Sequence, residues 1–224
     1  MARACAQGDE KPTQQDWQSL LKDILELQST LFDCISKQDC YEIYASSLLT
    51  SGDAATIKLA SEVLTCEAGG VRDSQLIDYE RTVDLVSNAA REYFNSASSL
   101  DDPALELARC CLILIKDDNP EIQSELDLIA ALQILKSFDL SILPIQVRLC
   151  EDKMTLIEDC LKADKNAYQA SHKLLKLATL LQIAGDDEHA REGQILQLVG
   201  ETAIAAGAAG GAAAAAAARR LAAL

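Results

Sequence analysis

Residues 119–150 read NPEIQSELDLIAALQILKSFDLSILPIQVRLC, and this stretch decides the class of fold. Its first half begins like an α-helix, because the Asn119 side chain can accept hydrogen bonds from the free amides of a first turn. Pro120 fits the first helical position, and Glu121 places negative charge at the positive end of the helix dipole. The apolar residues that follow recur at helical spacing in two neighbouring rows: Leu126, Ile129, Leu132 and Leu135, beside Leu128, Ala131, Ile134 and Phe138. An apolar arc this wide predicts a helix enclosed between neighbouring helices.

The second half of the stretch predicts a break in the helical pattern. Apolar residues continue from Leu140 to Leu149, but Pro144 interrupts them. A proline cannot lie inside a continuous helix, and it pushes the preceding Leu143 towards an extended conformation. We therefore predict a buried helix, an extended apolar connector over residues 140–149, and a further helix from about Lys153.

The rest of the chain predicts more helices on either side. Asp39 and Asp53 are suitable N-caps, and Gly52 can end a helix because glycine tolerates the left-handed terminal conformation. The segment Leu112 to Ile115 is apolar all round, so we expect its helix to be the most enclosed. The nine predicted helices cover about residues 17–38, 40–51, 54–64, 76–96, 103–115, 120–138, 153–163, 168–184 and 188–199.

The fold class predicted from these patterns is all-α. Aromatic residues make up only 4% of the 224 residues, so the core must be built from aliphatic side chains. Short turns between helices favour a stack of antiparallel helices that resembles an α-solenoid, without a sheet. We predict a disordered segment at residues 1–13, a helical domain at 14–200, and a low-complexity Ala/Gly tail at 201–224.

The charge of the chain excludes several classes of ligand. Its formal net charge is −15, and lysine and arginine are spread singly, so a phosphate backbone or an anionic leaflet would be repelled. No segment has the roughly 20 strongly apolar residues that a membrane span needs. The polar start does not resemble a signal peptide, which leads us to expect the cytoplasm. A partner protein is the ligand that this composition favours.

Carboxylate pairs and histidines are the first candidates for a catalytic or metal site. Asp101-Asp102, Asp117-Asp118 and Asp186-Asp187 each fall at a predicted turn between helices. A metal or acid–base site would need these carboxylates to converge in a pocket, whereas helix capping and solvation need only their local positions. His172 and His189 lack a neighbouring nucleophile or base in the sequence. We interpret the pairs as caps and the histidines as surface residues.

Cysteines and aromatic residues are the second group of candidates. Cys110-Cys111 could be a redox pair, but adjacent residues on a helix point in different directions, so we expect core packing. Tyr93-Phe94 and the Tyr41/Tyr44 pair could anchor a partner, although helix–helix packing explains them too. The sequence contains no zinc-ligand spacing, phosphate loop or nucleophile elbow. We therefore predict no catalytic, cofactor or metal residues, and we assign no partner-binding residue.

Several longer stretches together resemble one known family. The chain is similar, over most of residues 17–198, to the helical central region of the animal members of the Sec39 family. The resemblance is carried by ordered matches along successive helices: Asp39–Tyr44, Ser47–Leu49, Tyr79–Glu80, Val83–Val86, Ala90–Ser96, Leu107–Leu112, Ile122–Gln123, Glu125–Ile129, Ile142–Pro144, Gln146–Cys150, Lys173–Leu175, Leu180–Leu181 and Ala184–Gly185.

The resemblance implies a function that the composition does not. Members of this family are α-solenoid subunits of the Dsl-type tethering complex, which captures Golgi-derived vesicles at the endoplasmic reticulum and supports SNARE assembly. In animals the subunit joins the Rad50-interacting protein and the Zeste-white-ten protein. The resemblance therefore implies a non-catalytic scaffold in Golgi-to-ER retrograde transport, peripheral to the endoplasmic reticulum membrane. An adaptor role in nonsense-mediated mRNA decay and a generic helical interaction module are the alternatives.

The chain departs from the family pattern in three ways. The loop from Cys66 to Ser74 is shorter, and the sequence after about Val199 turns to alanine and glycine where the family continues with helices. The amino-terminal β-propeller region of the family is absent. We therefore expect this chain to be a fragment of a longer solenoid, a splice product or a mis-assembled gene model.

Overall fold

The computed structural model describes residues 12–31, 34–69, 76–164 and 166–206. Over this part of the chain the fold is all-α, as predicted, with ten α-helices and no strand. The helices are α1 (Gln14–Leu31), α2 (Lys37–Leu49), α3 (Ala54–Leu59), α4 (Tyr79–Ser96), α5 (Pro103–Leu112), α6 (Pro120–Lys136), α7 (Pro144–Leu149), α8 (Met154–Ala163), α9 (Ser171–Leu180) and α10 (Glu188–Ala205). Short 3-10 helices follow α3 and precede α9, at Ala60–Glu62 and Ala167–Ala170.

The chain divides into two compact units. The first unit comprises Met1–Ser96 and Pro103–Gln123, and the second comprises Ala97–Asp102 and Ser124–Leu224. The prediction of a single helical domain over residues 14–200, and of its stacking as a solenoid, stays a prediction. No helix in the described ranges is long and apolar enough to cross a membrane.

The core of the first unit is formed by α2 to α5, with α4 and α5 packed along each other. Its largest fully buried side chains are Leu48, Leu49, Ile57, Leu64, Ile77, Phe94 and Leu112. Trp17 of α1 packs edge-on against Tyr44 of α2, with ring centroids 6.3 Å apart, a favoured arrangement for aromatic pairs. The predicted burial of Leu112 is confirmed.

The core of the second unit is aliphatic, as the low aromatic content required. Its most buried side chains come from α6 and from α7 to α10: Leu132, Leu135, Val147, Leu156, Ile157, Leu174, Leu177, Ile195 and Leu196. The predicted burial of Ile129 on α6 is also confirmed. Helices α9 and α10 pack against each other and against α8.

Local start signals are confirmed at three helices. The Asn119 side-chain oxygen accepts from the amides of Glu121 (3.0 Å) and Ile122 (3.3 Å) at the start of α6. Asp53 and Asp187 accept from amides in the first turns of α3 and α10, at 3.0 and 2.9 Å. Each cap satisfies amides that the helix itself leaves without a partner.

The predicted connector over residues 140–149 is wrong in its second part. Leu143 is extended (φ −79°, ψ 144°), as the proline rule required, but Pro144 begins the six-residue helix α7. Proline at the first helical position loses no hydrogen bond, and its fixed φ suits the helix. The same residue that ends one helical pattern therefore starts the next.

The predicted second helix begins at a different cap. Ser36, not Asp39, is the N-cap of α2. The Ser36 hydroxyl accepts from the Asp39 amide (3.1 Å), and the Asp39 carboxylate accepts from the Ser36 amide (2.9 Å). This reciprocal capping box uses Asp39 at the third helical position. The first predicted helix correspondingly ends earlier, because α1 is described to Leu31.

Three other predicted helices are shorter than expected. Helix α3 gives way to the 3-10 helix Ala60–Glu62, and an isolated parallel bridge joins Leu64 to Ile77 ahead of α4. Helix α5 ends at Leu112, and Ile113 is 44% exposed, so the prediction of an all-round enclosed end is wrong. The predicted helix over 168–184 is a 3-10 turn followed by α9 and by turns with positive φ at Gln182, Ala184 and Gly185.

The last described helix extends beyond the predicted boundary. Helix α10 continues to Ala205, with Ala203 fully buried. Alanine has the highest helix propensity, which explains the continuation past Gly200. The remaining predicted tail, residues 207–224, and the predicted disordered residues 1–11 lie outside the described residues.

Candidate interaction surface

A groove in the second unit lies where α6 ends and the chain turns towards α7. It encloses about 370 Å³ and is open to solvent, a volume within the range of ligand pockets. Two segments that are distant in sequence build it, residues 98–101 and 136–146, and its lining mixes hydroxyl, charged and aliphatic side chains: Ser98, Ser99, Leu100, Asp101, Lys136, Asp139, Leu140, Ser141, Ile142, Leu143 and Gln146.

One wall of the groove is held by an ion pair. The Lys136 ammonium donates to the Asp101 carboxylate at 3.1 Å, and the Ser99 hydroxyl donates to the same carboxylate at 2.9 Å. The hydrogen bond from Ser99 and the charge of Lys136 lower the pKa of Asp101 below its usual value. Both side chains of the pair are about half exposed, so the pair positions the wall and contributes little to stability.

The end of α6 leads the chain into the groove. Phe138 is buried just past the helix, and the Lys173 ammonium lies 5.9 Å from the centre of its ring, within cation–π range. Asp139 then adopts a left-handed conformation (φ 53°), which aspartate tolerates better than most residues. This reverses the chain and directs Leu140 to Leu143 along the groove.

The four residues Leu140 to Leu143 form neither helix, turn nor bend. Their exposure alternates: Leu140 and Ile142 are half-buried, whereas Ser141 and Leu143 are exposed. Alternation with a period of two is the pattern of an extended strand. Because no neighbouring strand is present in the described residues, this segment has an open backbone edge.

Helix α7 closes the far end of the groove and is fixed by two contacts. Arg148 donates to both carboxylate oxygens of Glu125 on α6, at 3.0 and 2.7 Å, and Glu125 is only 8% exposed. The Lys153 ammonium donates to the carbonyls of Val147 (2.5 Å) and Arg148, which caps the negative end of the short helix. Burial lowers the pKa of Lys153.

Two large aliphatic side chains remain exposed beside these contacts. Leu149 on α7 is 71% exposed, and Leu143 at the start of α7 is 43% exposed. Single exposed leucines are common on protein surfaces. Here Leu143 lines the groove with the open backbone edge, and Leu149 is exposed on the helix that closes it, which makes this part of the second unit the candidate interaction surface.

A second groove, of about 430 Å³, lies between α2 and α4 in the first unit. Its lining is mainly polar: Ser46, Thr50, Leu85, Asn88, Ala89, Arg91, Glu92 and Asn95. Arg91 pairs with Glu121 at 2.8 Å. Leu85 is the single large aliphatic side chain in this lining, whereas the first groove has four.

The carboxylate pairs predicted from sequence accept hydrogen bonds at turns and at helix starts. Asp102 accepts from the amide and hydroxyl of Ser98, and Asp187 caps α10. Asp117 joins two segments of the first unit, because it accepts from the Ala68 amide (2.9 Å) and the Tyr79 hydroxyl (2.7 Å). Among the described residues, no group of histidine, cysteine and carboxylate side chains is arranged to hold a metal ion.

The remaining sequence candidates are core or surface residues. His172 and His189 are exposed, as predicted. Cys110 and Cys111 are both buried, and burial raises the pKa of the Cys111 thiol to about 12. Tyr44 and Phe94 are buried, whereas the Tyr93 hydroxyl accepts from the Gly52 amide and donates to the Leu49 carbonyl. These aromatic residues join helices and do not form an exposed anchor.

Sequence reasoning missed the Glu125–Arg148 pair and the groove. Glu125 sits within the apolar pattern of α6, where a buried carboxylate signals a partner elsewhere in the chain. That signal alone does not identify Arg148, which lies 23 residues further on.

The family comparison covers nearly the whole chain. The model for the family described as "Secretory pathway protein Sec39" matches residues 1–221. The chain belongs to the Sec39 family. It is 43% identical over 198 residues to the human protein named "NBAS subunit of NRZ tethering complex". It is 28% identical over 174 residues to the Arabidopsis thaliana protein named "MAG2-interacting protein 2".

The Sec39 relatives are far longer than this chain. The two alignments cover 84% and 77% of the chain, but only 8% of the human relative and 7% of the plant relative. No solved structure is significantly similar to the chain. The resemblance read from the sequence is therefore confirmed at the level of the Sec39 family.

Proposed function

We propose that this chain is a non-catalytic scaffold segment of a vesicle-tethering complex at the endoplasmic reticulum. Within that complex it supports Golgi-to-ER retrograde transport and SNARE assembly on the cytoplasmic side. The observation that carries the proposal is the Sec39 match over residues 1–221, together with the similarity to a human tethering-complex subunit. The partners are other tether subunits, of the Rad50-interacting and Zeste-white-ten types, and SNAREs of the endoplasmic reticulum.

The charge of the chain supports recruitment through proteins. A net charge of −15 opposes direct adhesion to an anionic leaflet. The described residues contain no helix able to span a membrane. Attachment to the membrane then depends on partner proteins, for which the exposed Leu143 and Leu149 offer apolar contact area.

The residues that sequence patterns offered for catalysis support a scaffold role. His172 and His189 are exposed on separate helices, and the carboxylate pairs are engaged at turns. General acid–base catalysis needs a positioned group near a reacting atom. The described grooves bring neither histidine to their linings.

A pull-down with the full 224-residue chain tests the proposal. The chain is used as bait for cytosol and for detergent-solubilised endoplasmic reticulum membranes, after circular dichroism has shown that it is helical. We expect recovery of tether subunits or resident SNAREs, identified by mass spectrometry. Recovery of RNA-decay factors alone, or of none of these proteins by a folded chain, would overturn the proposal.

A matched pair of variants controls for nonspecific binding. Leu149→Ser removes an exposed aliphatic side chain of the candidate surface, and Ile204→Ser removes one with the same 71% exposure on α10. If the candidate surface is used, L149S weakens recovery of the tether partners and I204S leaves it unchanged. Equal loss with both variants would point to nonspecific apolar adhesion.

A further inference from the structure

We propose that the groove along Leu140 to Leu143 binds an extended peptide segment of a partner protein, with an aliphatic side chain next to a basic residue. The inference stands on the groove in the second unit and does not depend on the tethering assignment. It names the conformation and chemistry of the ligand, which neither the family nor its relatives specify.

The backbone of the segment supplies the first argument. Leu143 donates its amide to the Gln146 side chain at 2.9 Å, and the Leu140 amide reaches the Leu135 carbonyl only at 3.5 Å. The amides of Ser141 and Ile142 donate to no acceptor within the described residues. An extended peptide aligned with the segment can accept from and donate to such an edge, as in β-strand addition. A helical ligand can offer only the unpaired backbone groups of its end turns.

The side chains supply the second argument. Half-buried Leu140 and Ile142 face the packed side of the segment, and exposed Leu143 stands at its end. At 3.3 Å per residue, four extended residues span about 13 Å, which suits a ligand segment of about four residues. Alternate side chains of such a ligand point towards the groove, where the aliphatic lining favours one apolar side chain.

Charge supplies the third argument. The groove is lined by two carboxylates, Asp101 and Asp139, and by one ammonium, Lys136. Lys136 is already paired with Asp101, so the Asp139 carboxylate is left for a cation from outside. A lysine or arginine beside the apolar residue of the ligand can reach it, whereas an acidic ligand is repelled by the −15 chain.

Peptide titrations of the 224-residue chain test the inference. The probes are the hexapeptides Lys-Thr-Val-Leu-Val-Arg and Glu-Thr-Val-Leu-Val-Glu, which differ in their end charges. We expect the basic peptide to shift the Ser141 and Ile142 amide signals in NMR spectra and to slow their hydrogen exchange. No change at these two amides at millimolar peptide, or equal binding of the acidic peptide, would overturn the inference.

Two variants locate the binding. Asp139→Asn keeps the left-handed turn, which asparagine also tolerates. It should lower the affinity of the chain for the basic peptide by about two- to five-fold at low salt. Asp186→Asn, in an exposed turn outside the groove, is the matched control and should leave binding unchanged. Ser141→Pro removes one amide of the open edge and should weaken the binding of both peptides more than Asp139→Asn does.

Two other occupants are distinguishable outcomes. If a second copy of the chain covers the groove, sedimentation shows a dimer that L143S dissociates, and the inference is wrong. If a helical peptide competes for the same amides, circular dichroism of the bound peptide shows helix, and the inference is again wrong. A negative pull-down contradicts the tethering function but not the binding of an extended peptide, which the titration tests. The two proposals can therefore be rejected independently.

Discussion

The Arg148 guanidinium donates hydrogen bonds of 3.0 and 2.7 Å to the two carboxylate oxygens of Glu125, and these charge-assisted bonds connect α7 to α6. The Arg148 and Glu125 side chains are 20% and 10% exposed. Bidentate pairs of this kind fix geometry as well as adding energy. The position of α7, and with it the end of the groove, depends on this pair.

Removing one partner of this pair should destabilise the chain strongly. Arg148→Met leaves the Glu125 carboxylate buried without its cation, a loss that costs about 3–5 kcal/mol. The double variant Glu125→Leu with Arg148→Met should recover more than half of that loss, because both buried charges are gone. Urea unfolding measures the free energy of unfolding of the single and the double variant. An unchanged midpoint for R148M would contradict the buried pairing.

Truncating the core of the first unit should also be costly. Leu112→Ala at the end of α5 should lower the free energy of unfolding by about 2–5 kcal/mol, because Leu112 is fully buried. Ile113→Ala, at the neighbouring exposed position, should change it by less than about 0.5 kcal/mol. Similar losses for both variants would mean that Ile113 is enclosed.

The capping box of α2 predicts that the stability contributed by Asp39 depends on pH. Hydrogen bonds from the Ser36 hydroxyl and amide lower the pKa of Asp39. A carboxyl with a lowered folded pKa adds stability above its unfolded pKa of about 4, and that stability is lost as pH falls through the folded value. Ser36→Ala should therefore raise the Asp39 pKa towards its ordinary value in an NMR titration.

The loss of the same cap should also appear in the unfolding free energy. Replacing an N-cap serine by alanine costs about 0.5–2 kcal/mol. Ser29→Ala removes an exposed hydroxyl that bonds only to the Glu26 carbonyl in α1 and serves as the control, with little expected change. Equal effects of the two variants would argue against Ser36 as the cap.

The cysteines should differ in their reactivity towards alkylating agents. The thiolate is the reactive form, and burial raises the pKa of Cys111 and Cys160 to about 12. Cys34 is exposed, so among the cysteines of the described residues iodoacetamide at pH 7.5 should modify Cys34 first. Cys111 and Cys160 should react only after denaturant is added, as measured by peptide mass spectrometry. Early modification of Cys160 would mean that α8 opens in the native state.

The parts of the fold that sequence predicted correctly are those that depend on neighbours in sequence. The caps at Asn119, Asp53 and Asp187 involve residues within three positions. Pro144 shows the limit of such reasoning, because the same local rule allows it to break a helix or to begin one. At α2 the local rule was applied to Asp39, whereas the cap is Ser36, three residues earlier.

The candidate surface could not be predicted, because it depends on contacts between distant segments. Lys136 meets Asp101 across 35 residues, and Arg148 meets Glu125 across 23. The exposure of Ile113 likewise follows from where α5 ends, which apolar periodicity alone did not fix. Asp139 gave no sequence signal for its left-handed turn, although that turn directs the chain into the groove.

The division of the chain has a consequence for its synthesis and dissection. Residues 97–102 belong to the second unit but lie between two pieces of the first, so the backbone passes from one unit to the other three times. No single cut therefore yields two intact halves: a truncation after Ser96 deprives the first unit of α5, and a start at Ser124 deprives the second of the Asp101 wall. During synthesis on the ribosome, residues 97–102 of the second unit emerge before residues 103–123, which complete the first unit.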